Sequence, residues 1–420
     1  MHSRILTNAV SSPPYAIDRS ATRVDRLASR HLRPSRTQAP TAAHRKRTLE
    51  LNSAYRPAAP GYTVKNMRFT TALFVCAALA CAQDPSAPAR TPAAASPNPN
   101  TPPPPSATTA GPGQNPDHRS SQILKAVDDL MWQLKLQDIA TVDKVSFTSL
   151  PPTKVRTPTA PGATNPVIIH AYTFIPKSID RSKKHPLVAF VHQGIHASFD
   201  TNDAHVTREL VEQGYTVIAC DYRGSTGYGA QLYDQIDYGG REVDDVWAAV
   251  QWGLDNFDFI DPKRVGIVGW SHGGMITLLS IFQHPDSFAV AYAGVPVSDI
   301  IFRLGYQNEG YRGIFSAQTH IGKTVRDDIQ EYWKRSPIAH VAKLKTPLMI
   351  HTNTNDEDVN YLEVERLAQA LKGEGKKFEY KVYQNAPGGH MFNRLDTKLA
   401  RESRAEIYRF LAVYLKPTVK

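Results

Sequence analysis

Hydrophobic and polar residues follow two different rhythms along most of the chain. Short, almost wholly apolar runs such as HPLVAFVHQG (185–194) and KRVGIVGW (263–270) are typical of strands covered on both faces of a sheet. Longer segments with apolar residues three and four positions apart, such as SSQILKAVDDLMWQLK (120–135), predict amphipathic helices. The two kinds of segment alternate, which predicts a mostly parallel sheet flanked by helices.

The same patterns extend to the C-terminus. Further strands are predicted at 165–176, 215–224, 288–296, 346–354 and 378–385, and further helices at 206–214, 239–256, 272–284, 360–375 and 398–415. In sheets of this kind, functional groups gather at the carboxyl ends of the parallel strands. The residues that follow each strand are therefore the first candidates for chemistry.

The N-terminal region lacks this periodicity. Residues 83–116 are rich in Pro and Ala and have almost no large apolar side chain, so they cannot bury enough surface to offset the entropy lost on folding. We predict a disordered linker there and one catalytic domain at 117–420.

The formal net charge is +10, but residues 1–66 hold 12 Lys and Arg against 3 Asp and Glu. The rest of the chain is close to neutral, which gives no reason to expect nucleic acid as a partner.

A pattern typical of signal peptides begins at Met67. One Arg precedes an apolar run that ends at the small residues Ala80-Cys81-Ala82. The run is too short for a stable membrane span, so we predict a signal peptide at 67–82 and a secreted or periplasmic protein. Residues 1–66 are then a mispredicted or disordered extension. The alternatives are an ordinary buried helix and a lipid-modified Cys81. Cys220 alone would remain in the mature chain, which excludes an intramolecular disulfide.

One serine lies between two glycines directly after a predicted strand. The segment Gly269-Trp270-Ser271-His272-Gly273 matches G-x-S-x-G and leads into the apolar helix at 272–284. In this context a sharp, strained turn lifts the serine hydroxyl clear of the backbone, and glycines flank it because side chains there would collide. We predict that Ser271 is a nucleophile. The alternative is a tight-turn serine whose glycines serve packing alone.

A serine nucleophile needs a base, and in this arrangement the acid and the histidine follow the serine along the chain. Three acids come after the strand at 346–354, namely Asp356, Glu357 and Asp358. Asp356 lies nearest the strand end and is the favoured acid, whereas Asp358 is placed to cap the next helix. His390 lies in a glycine-rich loop after the last strand, where it can reach the nucleophile as general base.

The remaining parts of a hydrolytic site are predicted from their place in the chain. The N–H of His272 is one expected oxyanion donor, and the segment His192-Gln193-Gly194 after a buried strand should supply the other, through an atom that the sequence does not fix. Aromatic residues that would line the acyl pocket, unless they belong to the core, are Trp270, Tyr306, Tyr311, Phe315, Tyr332 and Trp333.

No metal or cofactor is expected. The sequence has no H-E-x-x-H or paired C-x-x-C spacing. The glycine-rich segment DYRGSTGYG (221–229) lacks the lysine of a phosphate-binding loop. This segment is more typical of a turn that shapes the floor of a pocket.

Five segments resemble, in order, the catalytic domain of the prolyl oligopeptidase family of serine peptidases: DYRGSTGYG, DYGGREVDDV, IDPKRVGIVGWSHGG, KRSPIAHVAKLKTPLMIH and PGGH. The resemblance, from about Val142 to Leu415, implies an α/β-hydrolase fold with Ser271, Asp356 and His390 as catalytic triad. Two features depart from the family pattern. Members usually carry a large N-terminal β-propeller, which the segment before the hydrolase does not resemble. Some members use an oxyanion-hole tyrosine where this chain has His192.

The sequence thus predicts a serine hydrolase that cleaves amide bonds of small peptides through an acyl-enzyme on Ser271. A carboxylesterase acting on small or carbohydrate-linked esters is the alternative within the same chemistry. A non-catalytic binding module on the same fold is the alternative of another class, and the intact triad argues against it. The sequence leaves the oligomeric state open.

Overall fold

The computed structural model describes residues 117–155, 157–318 and 320–417. The predicted extension (1–66), signal peptide (67–82) and linker (83–116) lie outside the described residues, so these assignments stay predictions. No helix among the described residues is both long and apolar enough to cross a membrane.

A single sheet of eight strands forms the centre of the described part of the chain. Its strands are β1 (Ala140–Thr148), β2 (Ile168–Pro176), β3 (His185–Val191), β4 (Thr216–Asp221), β5 (Ile260–Trp270), β6 (Val290–Gly294), β7 (Leu348–Asn353) and β8 (Glu379–Tyr383). The strand order is β1-β2-β4-β3-β5-β6-β7-β8. Strand β2 is antiparallel to both β1 and β4, and all other neighbours are parallel. The predicted mostly parallel sheet is confirmed.

Helices cover both faces of this sheet. They are α1 (His118–Leu136), α2 (Ala204–Glu212), α3 (Ala230–Tyr233), α4 (Arg241–Asn256), α5 (His272–Gln283), α6 (Ile300–Tyr306), α7 (Glu309–Ser316), α8 (Ile329–Arg335), α9 (Tyr361–Gly373) and α10 (Lys398–Leu415). One apolar cluster lies between the sheet and α4, α5 and α9, and a second lies between the sheet and α1, α2 and α10. The strand β3 is apolar from Pro186 to Val191 because Leu187 and Ala189 face the first cluster while Val188 and Phe190 face the second.

The sequence patterns missed strand β1 and the short helices α3, α6, α7 and α8. The strand β1 lies at the edge of the sheet, and only Ala140 and Val142 in it are fully buried, so its apolar signal is weak. The helices α6, α7 and α8 have 7, 8 and 7 residues, too few to show a helical period. Side-chain caps mark their starts instead, at Asp299, Asn308 and Asp328.

Candidate active site

Ser271 joins β5 to α5 through a strained turn. Its φ of 56° and ψ of −121° lie where residues other than glycine are rarely found. A side chain on Gly269 would come within 2.3 Å of the carbonyl oxygen of Gly273, and one on Gly273 would come within 2.4 Å of the carbonyl oxygen of Val191. Glycine at both places therefore lets α5 start close against β3 and β5. The turn has the strained backbone that the G-x-S-x-G pattern predicts.

His390 and Asp356 are in direct contact. The Nδ1 atom of His390 lies 2.9 Å from Oδ1 and 2.8 Å from Oδ2 of Asp356. The Oδ1 atom of Asp356 also accepts the backbone N–H groups of Asp358 and Val359, at 2.9 and 2.8 Å. The carboxylate is thereby fixed, and it occupies one ring nitrogen of His390. The other nitrogen, Nε2, is left to exchange a proton with a reacting group.

The loops that carry Asp356 and His390 are hydrogen-bonded to each other. The side-chain amide of Asn353, at the end of β7, donates to the carbonyl oxygens of Ala386 at 3.1 Å and Gly389 at 3.0 Å. The carboxylate of Glu357 accepts the N–H of His390 at 3.0 Å. Gly389 has a φ of +51°, and a side chain on it would overlap the Glu357 carboxylate. This glycine is required for the close approach of the two loops.

Trp270 is buried beside the turn at Ser271 and does not line a pocket. It is 2% exposed, and its Nε1 donates to Oδ1 of Asn393, three residues after His390, at 3.0 Å. Its ring packs against those of Phe190 and Tyr292. The predicted pocket role of Trp270 is therefore not what the structure shows. Trp270 instead links the turn at Ser271 to the loop that follows His390.

The ring of His192 is not placed to act as an oxyanion donor. Its Nδ1 lies 3.0 Å from the carbonyl oxygen of Gln193, and its Nε2 lies 3.0 Å from the hydroxyl of Ser225. Burial lowers the pKa of His192 to about 4, so the ring is neutral near pH 7. Both ring nitrogens are engaged, which leaves backbone N–H groups of the segment His192-Gln193-Gly194 as the candidate donors. Gly194, with a φ of 72°, gives this segment its turn.

His272 is the first residue of α5, where backbone N–H groups have no acceptor within the helix. Its N–H therefore has no acceptor within α5 and stays a candidate oxyanion donor. Its side chain is 2% exposed and lies 3.7 Å from the carboxyl of Glu242. Desolvation holds the pKa of the His272 ring well below its usual value, and desolvation together with Asp237 raises that of Glu242. The His272 ring is therefore neutral near pH 7, and protonation of Glu242 persists to higher pH than for an exposed glutamate.

The other predicted pocket aromatics divide into three groups. Phe315 and Tyr332 are 0% and 1% exposed and pack in the apolar core, which corrects their assignment as pocket walls. Trp333 is 42% exposed at the surface. Tyr306 and Tyr311 are half-buried, and their hydroxyls accept hydrogen bonds from Arg303 at 2.9 and 2.7 Å.

Arg303 and Asp358 form an ion pair beside His390. The sequence patterns did not predict this pair. The guanidinium of Arg303 donates to Oδ1 of Asp358, and Oδ2 of Asp358 lies 3.9 Å from Nε2 of His390. Asp358 is not the cap of α9, because the side chain of Asn360 fills that role. No local signal reveals the pair, since 55 residues separate its members.

Among the described residues, no group of three or more His, Cys, Asp or Glu side chains is arranged to hold a metal ion.

The strand order and the turn at Ser271 define the described chain as an α/β-hydrolase. The chain belongs to the prolyl oligopeptidase family, because the sequence model of that family matches residues 199–418. It is 30% identical to the uncharacterized peptidase YuxL of Bacillus subtilis over 222 residues. These aligned residues cover 52% of this chain and 33% of that protein. It is 31% identical over 232 residues to the acylamino-acid-releasing enzyme of Arabidopsis thaliana, 54% of this chain and 30% of that enzyme. The chain thus spans about a third of the length of these relatives.

Solved structures show the same fold. A puromycin-hydrolyzing peptidase of Mycobacterium tuberculosis superposes with a TM-score of 0.53 and 24% identity, over 65% of this chain and 40% of the other. Dipeptidyl peptidase 4 of Porphyromonas gingivalis superposes with a TM-score of 0.52 and 20% identity, over 66% of this chain and 36% of the other.

Proposed function

We propose that this protein is a serine peptidase that cleaves amide bonds of small peptides through an acyl-enzyme on Ser271. The observation that carries the proposal is the contact between His390 Nδ1 and Asp356, which lies at the same edge of the sheet as the strained turn at Ser271. The relatives support amide chemistry, since their names include an acylamino-acid-releasing enzyme and dipeptidyl peptidases.

In the proposed acylation step, Nε2 of His390 accepts the proton of the Ser271 hydroxyl as Oγ forms a bond to the substrate carbonyl carbon. Asp356 holds the imidazole in the required orientation and stabilises the imidazolium that forms. The carbonyl oxygen becomes an oxyanion, which the N–H of His272 and an N–H of the segment His192-Gln193-Gly194 bind. His390 then gives its proton to the leaving nitrogen as the carbon–nitrogen bond breaks.

Deacylation uses the same groups with water as the nucleophile. His390 accepts a proton from water while the water oxygen attacks the acyl carbon, and it returns that proton to Oγ of Ser271 as the ester bond breaks. The product acid leaves and the hydroxyl is restored. No group beyond these side chains and backbone N–H groups is needed.

The test compares the protein from Gln83 onward with its Ser271→Ala variant on matched aminoacyl or dipeptidyl anilides and short acyl esters. Ser182→Ala, which removes an exposed serine hydroxyl, is the control. Anilide cleavage that disappears only in Ser271→Ala would establish a peptidase. Turnover of esters alone would make the protein a carboxylesterase. Absence of Ser271-dependent turnover of either substrate would favour a binding module.

We also propose that the protein is exported and that residues 67–82 are its signal peptide. The support is the order of one basic residue, an apolar run and small residues at Ala80-Cys81-Ala82. N-terminal sequencing of the protein from the culture medium or periplasm should give a chain that starts near Gln83. A mature N-terminus upstream of Met67 would contradict the proposal.

A further inference from the structure

The outer face of helix α1 is apolar although it is exposed. Five large aliphatic side chains on this helix are between 52% and 69% exposed, namely Ile123, Leu124, Val127, Leu130 and Leu134. Among the described residues, no other helix carries more than two exposed large hydrophobic side chains. Single exposed apolar residues are normal, whereas a contiguous patch indicates an interaction surface. We call these five residues the α1 stripe.

The α1 stripe points away from the catalytic domain. The buried residues of the helix are Lys125, Trp132 and Leu136. An α-helix turns by about 100° per residue, so the stripe is centred about 170° around the helix axis from these three residues. A partner can therefore approach the stripe without meeting the body of the domain.

The spacing within the stripe is that of paired helices. Ile123, Val127, Leu130 and Leu134 follow one another at intervals of four, three and four positions, which is the a/d spacing of helix pairs. The spacing reads the same in both directions along the helix. In an antiparallel pair of two copies, Ile123 of one copy would face Leu134 of the other, and Val127 would face Leu130. The stripe is thus complementary to itself, as a two-fold interface requires.

The charges of α1 allow two such helices to approach each other. Its acidic side chains Asp128 and Asp129 are bound by their own domain, through the N–H of Thr201 at 3.0 Å and Nζ of Lys144 at 2.6 Å. Neither carboxylate lies on the stripe. An antiparallel arrangement is favoured over a parallel one, because parallel helices would place like ends of their dipoles side by side.

A membrane surface and the preceding linker fit the stripe less well than a second copy does. Helices that lie on membranes carry many Lys and Arg residues on their polar face, whereas the exposed basic side chains of α1 are Arg119 and Lys135. Residues 83–116 have almost no large apolar side chain with which to cover the stripe.

The area of the stripe is sufficient for a dimer. At roughly 100 Å² for each of the five side chains, two stripes would remove about 1,000 Å² of apolar surface from water, which is the lower limit for a specific interface. The pairing should therefore be stable at micromolar concentrations and reversible on dilution.

We propose that two copies of this protein form a dimer through antiparallel contact of their α1 stripes. The helix precedes the family-matched region, residues 199–418, so the interface belongs to a part of the chain that the family model does not match. The proposal does not depend on the catalytic function, since the stripe contains none of the residues of the candidate active site.

The test is sedimentation equilibrium of the full chain at concentrations up to about 50 µM. We expect a mass of twice the 46.5 kDa of the chain, with a dissociation constant on the order of 1 µM. Val127→Asp should raise this constant at least about 100-fold, because the interface would bury a carboxylate without a partner. Val413→Asp is the matched control, since Val413 is 63% exposed on helix α10 and lies outside the stripe, and it should leave the dimer intact.

A double variant tests the antiparallel register. In Val127→Asp combined with Leu130→Lys, each new carboxylate would face the new ammonium group of the other copy, which should recover at least about 10-fold of the lost affinity. Absence of recovery would overturn the antiparallel arrangement. Far-UV circular dichroism of each variant shows whether the fold is retained.

Three results would overturn the proposal of a dimer. The first is a full chain that stays monomeric at about 50 µM, well above the expected dissociation constant. The second is a dimer that a folded Val127→Asp variant leaves unchanged, or that Val413→Asp weakens equally. The third is a monomeric chain that sediments with vesicles of phosphatidylethanolamine and phosphatidylglycerol and loses this binding in Val127→Asp, which would assign the stripe to a membrane surface.

Discussion

Replacement of Lys125 by Met tests how the N-terminal helix is held to the catalytic domain. Lys125 lies on α1, before the family-matched region, and is 5% exposed. Its Nζ donates to the carbonyl oxygen of Phe199 at 2.6 Å and lies 3.2 Å from Oδ2 of Asp221. Asp221 is fully buried at the end of β4 and lies 3.9 Å from His192 Nε2. A helix that precedes the family-matched region thus contacts Asp221, which lies beside the candidate oxyanion segment at His192.

The expected cost follows from what remains in Lys125→Met. Removal of one partner of a buried ion pair costs about 3–5 kcal/mol because the other charge stays buried and unpaired. Asp221 keeps the hydrogen bonds of the Phe199 N–H and the Tyr228 hydroxyl. We therefore expect the lower end, about 3 kcal/mol, which corresponds to a decrease in Tm of about 5 °C for a folded part of roughly 300 residues.

Calorimetry of four proteins measures the effect. Lys125→Met should show the full decrease in Tm, and Lys125→Met combined with Asp221→Asn should recover at least half of it, because the unpaired charge is gone. Lys135→Met, which removes an exposed amine from the same helix, should change Tm by about 1 °C or less. A loss below about 1 kcal/mol in Lys125→Met, or no recovery in the double variant, would refute the reasoning.

Two further predictions concern pH and the loop of the base. Burial lowers the pKa of His351 to about 4. Between about pH 6.5 and 4, His351 is therefore protonated in the unfolded chain but not in the folded chain. The free energy of unfolding consequently falls as the pH falls through this range. His351→Asn should reduce this slope by about 1.4 kcal/mol per pH unit in urea unfolding at pH 5, 6 and 7.5, and an unchanged slope would contradict it. Gly389→Ala, which forces a side chain into Glu357 at a φ of +51°, should lower kcat/KM at least about 10-fold. Gly373→Ala, with open space around it, should leave activity unchanged, and equal effects of the two would refute the assignment.

The sequence correctly predicted those helices and strands whose own residues show a clear apolar pattern. The strand β3 is buried on both faces and reads as one apolar run, and helix α10 was predicted at the bounds that the structure shows, Lys398–Leu415. Helix α1 was also predicted, but its period does not reveal which face is buried. Lys125 is buried, whereas Ile123 and Leu124 are 58% and 69% exposed. Trp132 and Leu136 of α1 are buried together with Lys125, and the contacts of this face, such as the ion pair of Lys125 with Asp221, join residues far apart in the sequence.

In the candidate site, too, some residues could be predicted from the sequence and others could not. Ser271, Asp356 and His390 follow strand ends, where the order of elements alone makes them candidates. The aromatic residues do not, because residue type cannot say whether a ring such as Phe315 or Trp270 faces the core or a cleft. The pair of Arg303 and Asp358 depends on helix α6 and the loop between β7 and α9, which meet only in the folded chain.

The most direct test of the account is mass spectrometry of the intact protein after reaction with a fluorophosphonate. We predict one covalent adduct, located on Ser271 by peptide mapping, at a rate that falls by orders of magnitude in His390→Ala. Ser271→Ala should remain unlabelled. Absence of an adduct on Ser271 in the wild-type protein, or labelling that His390→Ala leaves unchanged, would contradict the assignment of these residues as nucleophile and base.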